Sequence, residues 1–367
     1  DRSEGCLMSM PPPPAHGVIE SARRRYFYSP GAGLLTIALL ALLAWLGAIV
    51  LDWGVVRAVA QPDYAVCKLP GRGACWGFVA EKWRLILFGR YPYEAQWRPA
   101  LATTAVLAML VASAMPHLWT RRGARWLAAG WVGALGLFFL LMSGGAFGLG
   151  VVGSERWGGL PLTVILTLIG IGASSPIGIL LALARRSKLP LLRSFATAYI
   201  ELVRGVPLLT VLFVATFVFP LVLPPGWRID PFWRVAIGLV LFQSAYMAET
   251  VRGGLQTLPR GQIEAGTSLG LRYWQLQRSV VMPQALVAVI PAFVNNLLST
   301  FMDTSLVTVV SMYDLTGALR LALGDPHWRD FFIEGYLFIA AIYFLGSFVM
   351  SRYSLWLERR LKIDFAR

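Results

Sequence analysis

A chain of 367 residues with 57% hydrophobic and only 14% charged residues falls well short of the quarter of charged residues usual in soluble domains. Its formal charge of +14 comes from short basic segments beside apolar runs, which set membrane orientation; no soluble basic domain is present to bind nucleic acid. The chain has no GxxxxGKS/T phosphate loop, and its three histidines and three cysteines are not spaced as metal ligands, so no ATP site, metal or other cofactor is expected on it.

The chain divides in order as follows. Residues 1–30 include the proline run Pro11 to Pro14, which cannot hold a helix ladder, and are expected to be disordered. Arg23, Arg24 and Arg25 precede an uncharged run at 31–51. Ala58-Val59-Ala60 resembles a signal-peptide cleavage site, but the run is longer than a signal core and reads as an uncleaved first span. A long exterior loop at 52–98 follows, rich in Trp and Tyr, which favour the membrane–water boundary. Within it Cys67 and Cys75 flank the turn-prone LPGRG. Either a disulfide, as an oxidising exterior allows, or two free thiols fit this loop.

Further spans are expected at 100–119, 126–152, 160–184, 207–223, 232–247, 285–301 and 331–350. The small residues of 170–178 suit close helix packing. Glu201 with Arg204, and Glu249 with Arg252, are each three apart and share a helix face. The short-loop excess of Lys and Arg places both termini inside. The sequence thus reads as an all-α polytopic membrane protein of about eight spans. Its parts are the disordered 1–30, a three-span extension at 31–152, a core at 153–358 and a basic tail at 359–367.

One polar stretch interrupts the apolar pattern: PRGQIEAGTSLGLRYWQLQRSVVMP at 259–283. The spacing predicts a short helix at 265–269 and a second at 272–281. Gly270 allows the reversal between them and Pro283 begins the return to the membrane. From the residues alone, a compact two-helix knob on the inner face and an amphipathic helix resting at the lipid headgroups both fit.

Glu264-Ala265-Gly266, Gly270, Val280 and Met282-Pro283 resemble the EAA loop, EAA-x3-G-x9-I-x-LP, of permease subunits of bacterial ABC importers. The chain departs at Gly266, Val280 and Met282. YIELVRGVPLL at 199–209, AYMAETVRGGL at 245–255, PQALVAVIP at 283–291 and DTSLVTVVSMYDL at 303–315 resemble the polar amino-acid permease family. CWGF at 75–78 and RYPYEAQWRP at 90–99 resemble the longer permease subunit of general L-amino-acid importers. The resemblance implies a type I importer core in the last five spans, in a bacterial inner membrane. It also implies amino-acid substrates and three partners: ABC ATPase subunits that bind the ATP, a second permease subunit forming a heterodimer, and a periplasmic binding protein. Glu264, Ala265, Gly266, Gly270 and Pro283 are then expected at the ATPase contact.

Asn295, Asn296, Asp303, Thr304 and Ser305 cluster at the end of the 285–301 span, and polar groups in membranes are functional candidates. They suit a pathway for a zwitterion. Alternatively, the asparagines bond across helices and Asp303 caps the segment 304–314. Related permeases commonly carry Lys where this chain has Met302. The rival function is an ion-driven secondary transporter of small polar solutes.

Overall fold

Caps and prolines set where the apolar runs begin as helices in the computed structural model, which describes residues 26–365, Pro225 excepted, with side chains to Arg360. Most of the expected disordered segment and the end of the basic tail lie outside the described residues. The chain divides into two units, residues 1–77 and 78–367.

In the first unit, α1 (Pro30–Leu51) starts at Ser29, whose side chain accepts from the Ala32 N–H, with Pro30 in the first turn. There its missing N–H costs nothing. It is apolar all round with no buried residue, as a helix facing lipid should be. The helix runs on as a π turn, Asp52–Val56, and Arg57 pairs with Asp52. A short α2 (Tyr64–Cys67) is capped by Asp63. Beyond it the chain reverses, and Cys67 and Cys75 are joined as a disulfide with Cα atoms 5.6 Å apart.

The second unit begins within the first turn of α3 (Gly77–Phe88), at Phe78. Lys82 Nζ lies 2.9 Å from Asp325 Oδ2, and Phe78 and Trp328 pack ring to ring. The hydrogen bond from Lys82, then that from the His327 backbone N–H, hold the Asp325 carboxyl below the usual carboxylate range. Two extension helices follow, α4 (Trp97–Ala114) and α5 (Arg121–Ser143). The span expected at 126–152 therefore ends nine residues early: Gly144, at φ 70°, closes the helix and residues 144–152 form a loop. Buried Arg98 holds that end, donating from Nε to Leu141 O at 2.6 Å and from Nη1 to Gly150 O at 3.0 Å. At Leu141 it satisfies a carbonyl that the helix end leaves without an intrahelical partner, and at Gly150 it ties the following loop to that end. The span expected at 100–119 stops at Ala114, before Pro116.

The core comprises α6 (Gly159–Arg185), α7 (Pro190–Arg204) and α8 (Leu208–Phe213), which continues as a π turn and a 3-10 turn to Val222. Next come α9 (Pro231–Gln256), α10 (Arg260–Ser268) and α11 (Tyr273–Leu276). A π turn leads from α11 into α12 (Met282–Asp303), followed by a 3-10 turn at Thr304–Val310, α13 (Leu315–Ala322) and α14 (Phe332–Phe365). Among the described residues, six helices are long and apolar enough to cross a membrane, or seven if α7 and the α8 segment, bent by 105°, form one span. The expected span at 232–247 is present as α9 but is not one of them. It is the central helix, largely buried, and Arg234, Gln243, Ser244 and Glu249 dilute its apolarity.

Small residues bring the core helices together. A Cβ on Gly178 of α6 would stand 2.6 Å from Met247 Cβ, and one on Gly254 of α9 would stand 2.3 Å from Val289 Cγ2 of α12. Such close approach is what small residues permit in lipid, where no hydrophobic effect drives helices together. Leu162, Ile165 and Leu166 of α6 meet Val235, Ala236 and Leu239 of α9 in a continuous core, joined by Phe138 and Trp157.

Candidate functional site

The polar stretch folds as a two-helix knob. α10 starts earlier than expected, at Arg260, and Gly270 takes φ +75°, the left-handed conformation that the reversal needs. The second helix does not end at Pro283. It passes through the π turn Gln277–Val281 into α12, with Pro283 in the first turn of α12. Knob and transmembrane helix are thus one continuous rod.

The inner side of the knob is apolar and seated. Leu276, Val281 and Ala285 pack with Met247, Val251 and Leu255 of α9 and with Ala182 and Leu183 of α6. Gln284 donates to Gln262 Oε1 at 3.3 Å. Gly266 is buried, and a Cβ there would stand 2.4 Å from Leu276 Cδ1. The departure from Ala at this position therefore lets α10 lie against the second helix. Gly266 faces inward, away from the surface where it was expected. Glu264, Ala265 and Gly270 are exposed. So are three bulky groups that the motif does not specify: Leu269 at 81%, Tyr273 at 51% and Trp274 at 66%. Apolar side chains standing on an otherwise polar knob mark an interaction surface.

Beside the seat, Glu249 of α9 binds three arginines from three helices. Arg252 donates to Oε1, while Arg185 of α6 and Arg204 of α7 lie 3.3 and 3.7 Å from Oε2. The hydrogen bond from Arg252 is the largest influence, and with the three positive charges it holds the Glu249 carboxyl below the usual range. Glu201 pairs with Arg185 at 2.7 Å. The Glu201–Arg204 pairing suggested by their spacing gives way to these contacts between helices. Spacing along one helix cannot reveal that the end of another arrives between two partners.

The polar residues of α12 separate into distinct roles. Asn296 donates to Thr250 Oγ1 of α9 at 2.9 Å, the cross-helix bond that was one of its two readings. Thr304 is buried and returns its hydroxyl to Phe301 O at 2.8 Å. Asn295 is exposed and Ser305 half-buried. Asp303 is half-buried and makes no hydrogen bond or ion pair among the described residues. It does not cap the following turn. Capping falls to Asp314, which accepts from the Gly317 N–H and Thr308 Oγ1, each at 2.9 Å, and from the Tyr343 hydroxyl at 2.9 Å. Asp314 is fully buried, and its segment bridges to Gly158 and Gly159 at the start of α6. Asp before an apolar run, with Gly three residues later, carried a capping signal that the sequence reading missed.

Comparison with known proteins agrees with this architecture. Residues 174–363 match the family described as binding-protein-dependent transport system inner membrane component. The chain is 42% identical to the inner membrane amino-acid ABC transporter permease protein YhdY of Escherichia coli (strain K12), over 96% of this chain and 97% of that protein. It is 34% identical to the glutamate/glutamine/aspartate/asparagine transport system permease protein BztC of Rhodobacter capsulatus, over 95% and 94%. The probable amino-acid ABC transporter permease protein YckA of Bacillus subtilis is 32% identical, but over only 55% of this chain and 87% of its own length. The chain therefore belongs to the inner-membrane component family of binding-protein-dependent transport systems, and is a multi-pass permease subunit of an ATP-binding-cassette importer.

Proposed function

We propose that this permease carries L-amino acids across the inner membrane, driven by separate ATPase subunits docked on the α10–α11 knob. The observation that carries the coupling assignment is the rod-like continuity of knob and α12, with exposed Glu264, Ala265, Leu269, Tyr273 and Trp274 on one side and a seat on α6 and α9 on the other. Close packing does not deform smoothly, so force on the knob moves its seat as a body. The amino-acid assignment is supported by the two relatives matched along nearly their whole length, both named as permeases of amino-acid systems. Nucleotide binding and hydrolysis belong to the ATPase partner, and this chain needs no cofactor of its own.

At the other end of α12, the unpaired Asp303 carboxylate is a suitable acceptor for a substrate ammonium, with Ser305 and Asn295 close by in sequence. Ala288, Ala292, Asn295, Ser299 and Met302 make an exposed stripe along α12. This stripe faces a second, distinct permease subunit, and the substrate passes between the two. A periplasmic binding protein delivers it, and the three-span extension at 31–152 adds to the core a part that short permeases lack.

Co-expression with the neighbouring subunits, followed by reconstitution in liposomes, tests this reading. ATP-dependent amino-acid uptake that requires the ATPase and binding protein is expected. Uptake driven by an ion gradient without ATP would establish the secondary-transporter alternative instead.

A further inference from the structure

We infer that α7 is an in-plane membrane helix, and that Lys188 in the link before it and Arg193 in its first turn bind anionic phospholipid headgroups. Three observations carry this. The first is direction. α7 and the segment after it meet at a bend of 105° across Gly205-Val206-Pro207. If residues 208–222 run through the bilayer, α7 leaves them nearly at a right angle, along the membrane surface. The charged groups of Arg185, Glu201, Arg204 and Glu249 mark the same end of the bundle.

The second is the division of its circumference into three faces, each covering roughly a third at 100° per residue. Ala196, Ile200 and Val203 face the protein, the first two fully buried. Arg193, Ser194, Thr197, Glu201 and Arg204 make a polar face. Between these lies an outward apolar face of Leu191, Phe195, Ala198 and Leu202, with Leu191 84%, Phe195 67% and Leu202 70% exposed. A transmembrane helix has no use for the polar face, and a helix in water has no use for the outward apolar one. A helix at the bilayer interface, lying against a protein bundle, requires all three.

The third is charge. Arg186 and Lys188, in the link before α7, and Arg193, in its first turn, are exposed, and Lys188 and Arg193 have no carboxylate partner among the described residues. Unpaired basic side chains on the polar face of an interfacial helix, as Arg193 is, or just before its first turn, as Lys188 is, complement anionic headgroups. The far end of α7 supplies Glu201 and Arg204 to the cluster around Glu249, so lipid binding at one end bears on the seat of the knob at the other. The inference holds whichever solute the transporter carries.

Spin labels placed one at a time at 191, 194, 195, 197, 198 and 202, in the full transporter complex with Cys6→Ser and the remaining cysteines oxidised, test the orientation. In phosphatidylcholine/phosphatidylglycerol nanodiscs, 191, 195, 198 and 202 should favour oxygen over a water-soluble nickel reagent, and 194 and 197 the reverse. Labels at 195 and 202 shielded from both reagents would show that another protein surface covers the face, and equal access all round would show that water does. Either result overturns the inference. Native mass spectrometry with added phosphatidylglycerol tests the headgroup contact. The Lys188→Gln/Arg193→Gln complex should bind its tightest phosphatidylglycerol about tenfold or more weakly than the parent, with phosphatidylcholine binding unchanged. Equal affinity for phosphatidylglycerol in parent and variant would overturn the contact.

Discussion

Arg185, the last residue of α6, reaches Glu249 on α9 at 3.3 Å and Glu201 on α7 at 2.7 Å. One guanidinium thereby links three helices, and Glu249 returns the link by accepting from Arg252 and lying within 3.7 Å of Arg204. Helix ends that would otherwise repel through like charge are tied together beside the seat of the knob.

Replacing Glu249 with Gln takes the charge out of its three ties and leaves Arg185–Glu201 in place. Glu249→Gln should destabilise the complex by about 1.5–3 kcal/mol, the range for hydrogen bonds to charged groups. The effect has a pH signature. Arg252 and the other arginines depress the Glu249 carboxyl, so its contribution is fully present above the unfolded value of about 4.3 and is lost as pH falls through the lower folded value. Melting temperatures of parent and Gln variant should therefore differ by a constant amount near neutrality and converge below about pH 4. A difference that did not vary with pH would assign the loss to packing.

Gly266 makes a separate prediction. Its missing Cβ leaves room for Leu276 Cδ1, which a methyl would meet at 2.4 Å. Gly266→Val should splay the knob and cost about 1–3 kcal/mol from overpacking, with loss of ATPase association in pull-down. Shortening the opposing side chain with Leu276→Ala should restore association in the double variant. Rescue of this kind distinguishes packing inside the knob from direct contact with the ATPase. By contrast, Gly270→Asp should abolish substrate-stimulated transport with no rescue at Leu276, because φ +75° is unfavourable for a side chain.

The sequence carried the apolar runs, their capping residues and the reversal at Gly270 clearly, because each depends on nearby residues. It carried less where a long-range partner decides. Gly144, Gly145 and Gly148 all take positive φ and end a helix whose composition alone would have run on to Val152. Spacing suggested the Glu201–Arg204 pair, which Arg185 and Glu249 divide between them. Asp303 and Asp314 stand in the same short polar segment. The cap on Gly317 N–H and the arrival of Tyr343 and Thr308 at Asp314 separate a structural carboxylate from an unpaired one, and of these the contact with Tyr343 is the one that local sequence does not carry.

That separation makes the two aspartates testable against each other. Tyr343→Phe removes one donor from a buried carboxylate and should lower complex stability by about 1–3 kcal/mol. Asp314→Ala should do at least as much, since it also uncaps α13. Neither change should alter substrate affinity in whatever complex survives purification, as measured by half-saturation of uptake.

Asp303→Asn should behave in the opposite way. The carboxyl has no partner to lose, so assembly and melting temperature should stay within experimental error of the parent. A charge-assisted bond to a substrate ammonium contributes about 1.5–3 kcal/mol, so its loss should raise the substrate concentration for half-maximal uptake by roughly 10- to 100-fold. Asn295→Ala, on the exposed stripe of α12 and without charge, should have a smaller effect, and Asn296→Ala should act on stability through Thr250. Uptake must be measured with the binding protein both limiting and in excess, because a change in docking would vanish at saturation whereas a pathway defect would not. Asp303→Asn with parental affinity and rate under both conditions would remove this residue from the pathway and leave the α12 stripe as a subunit contact alone.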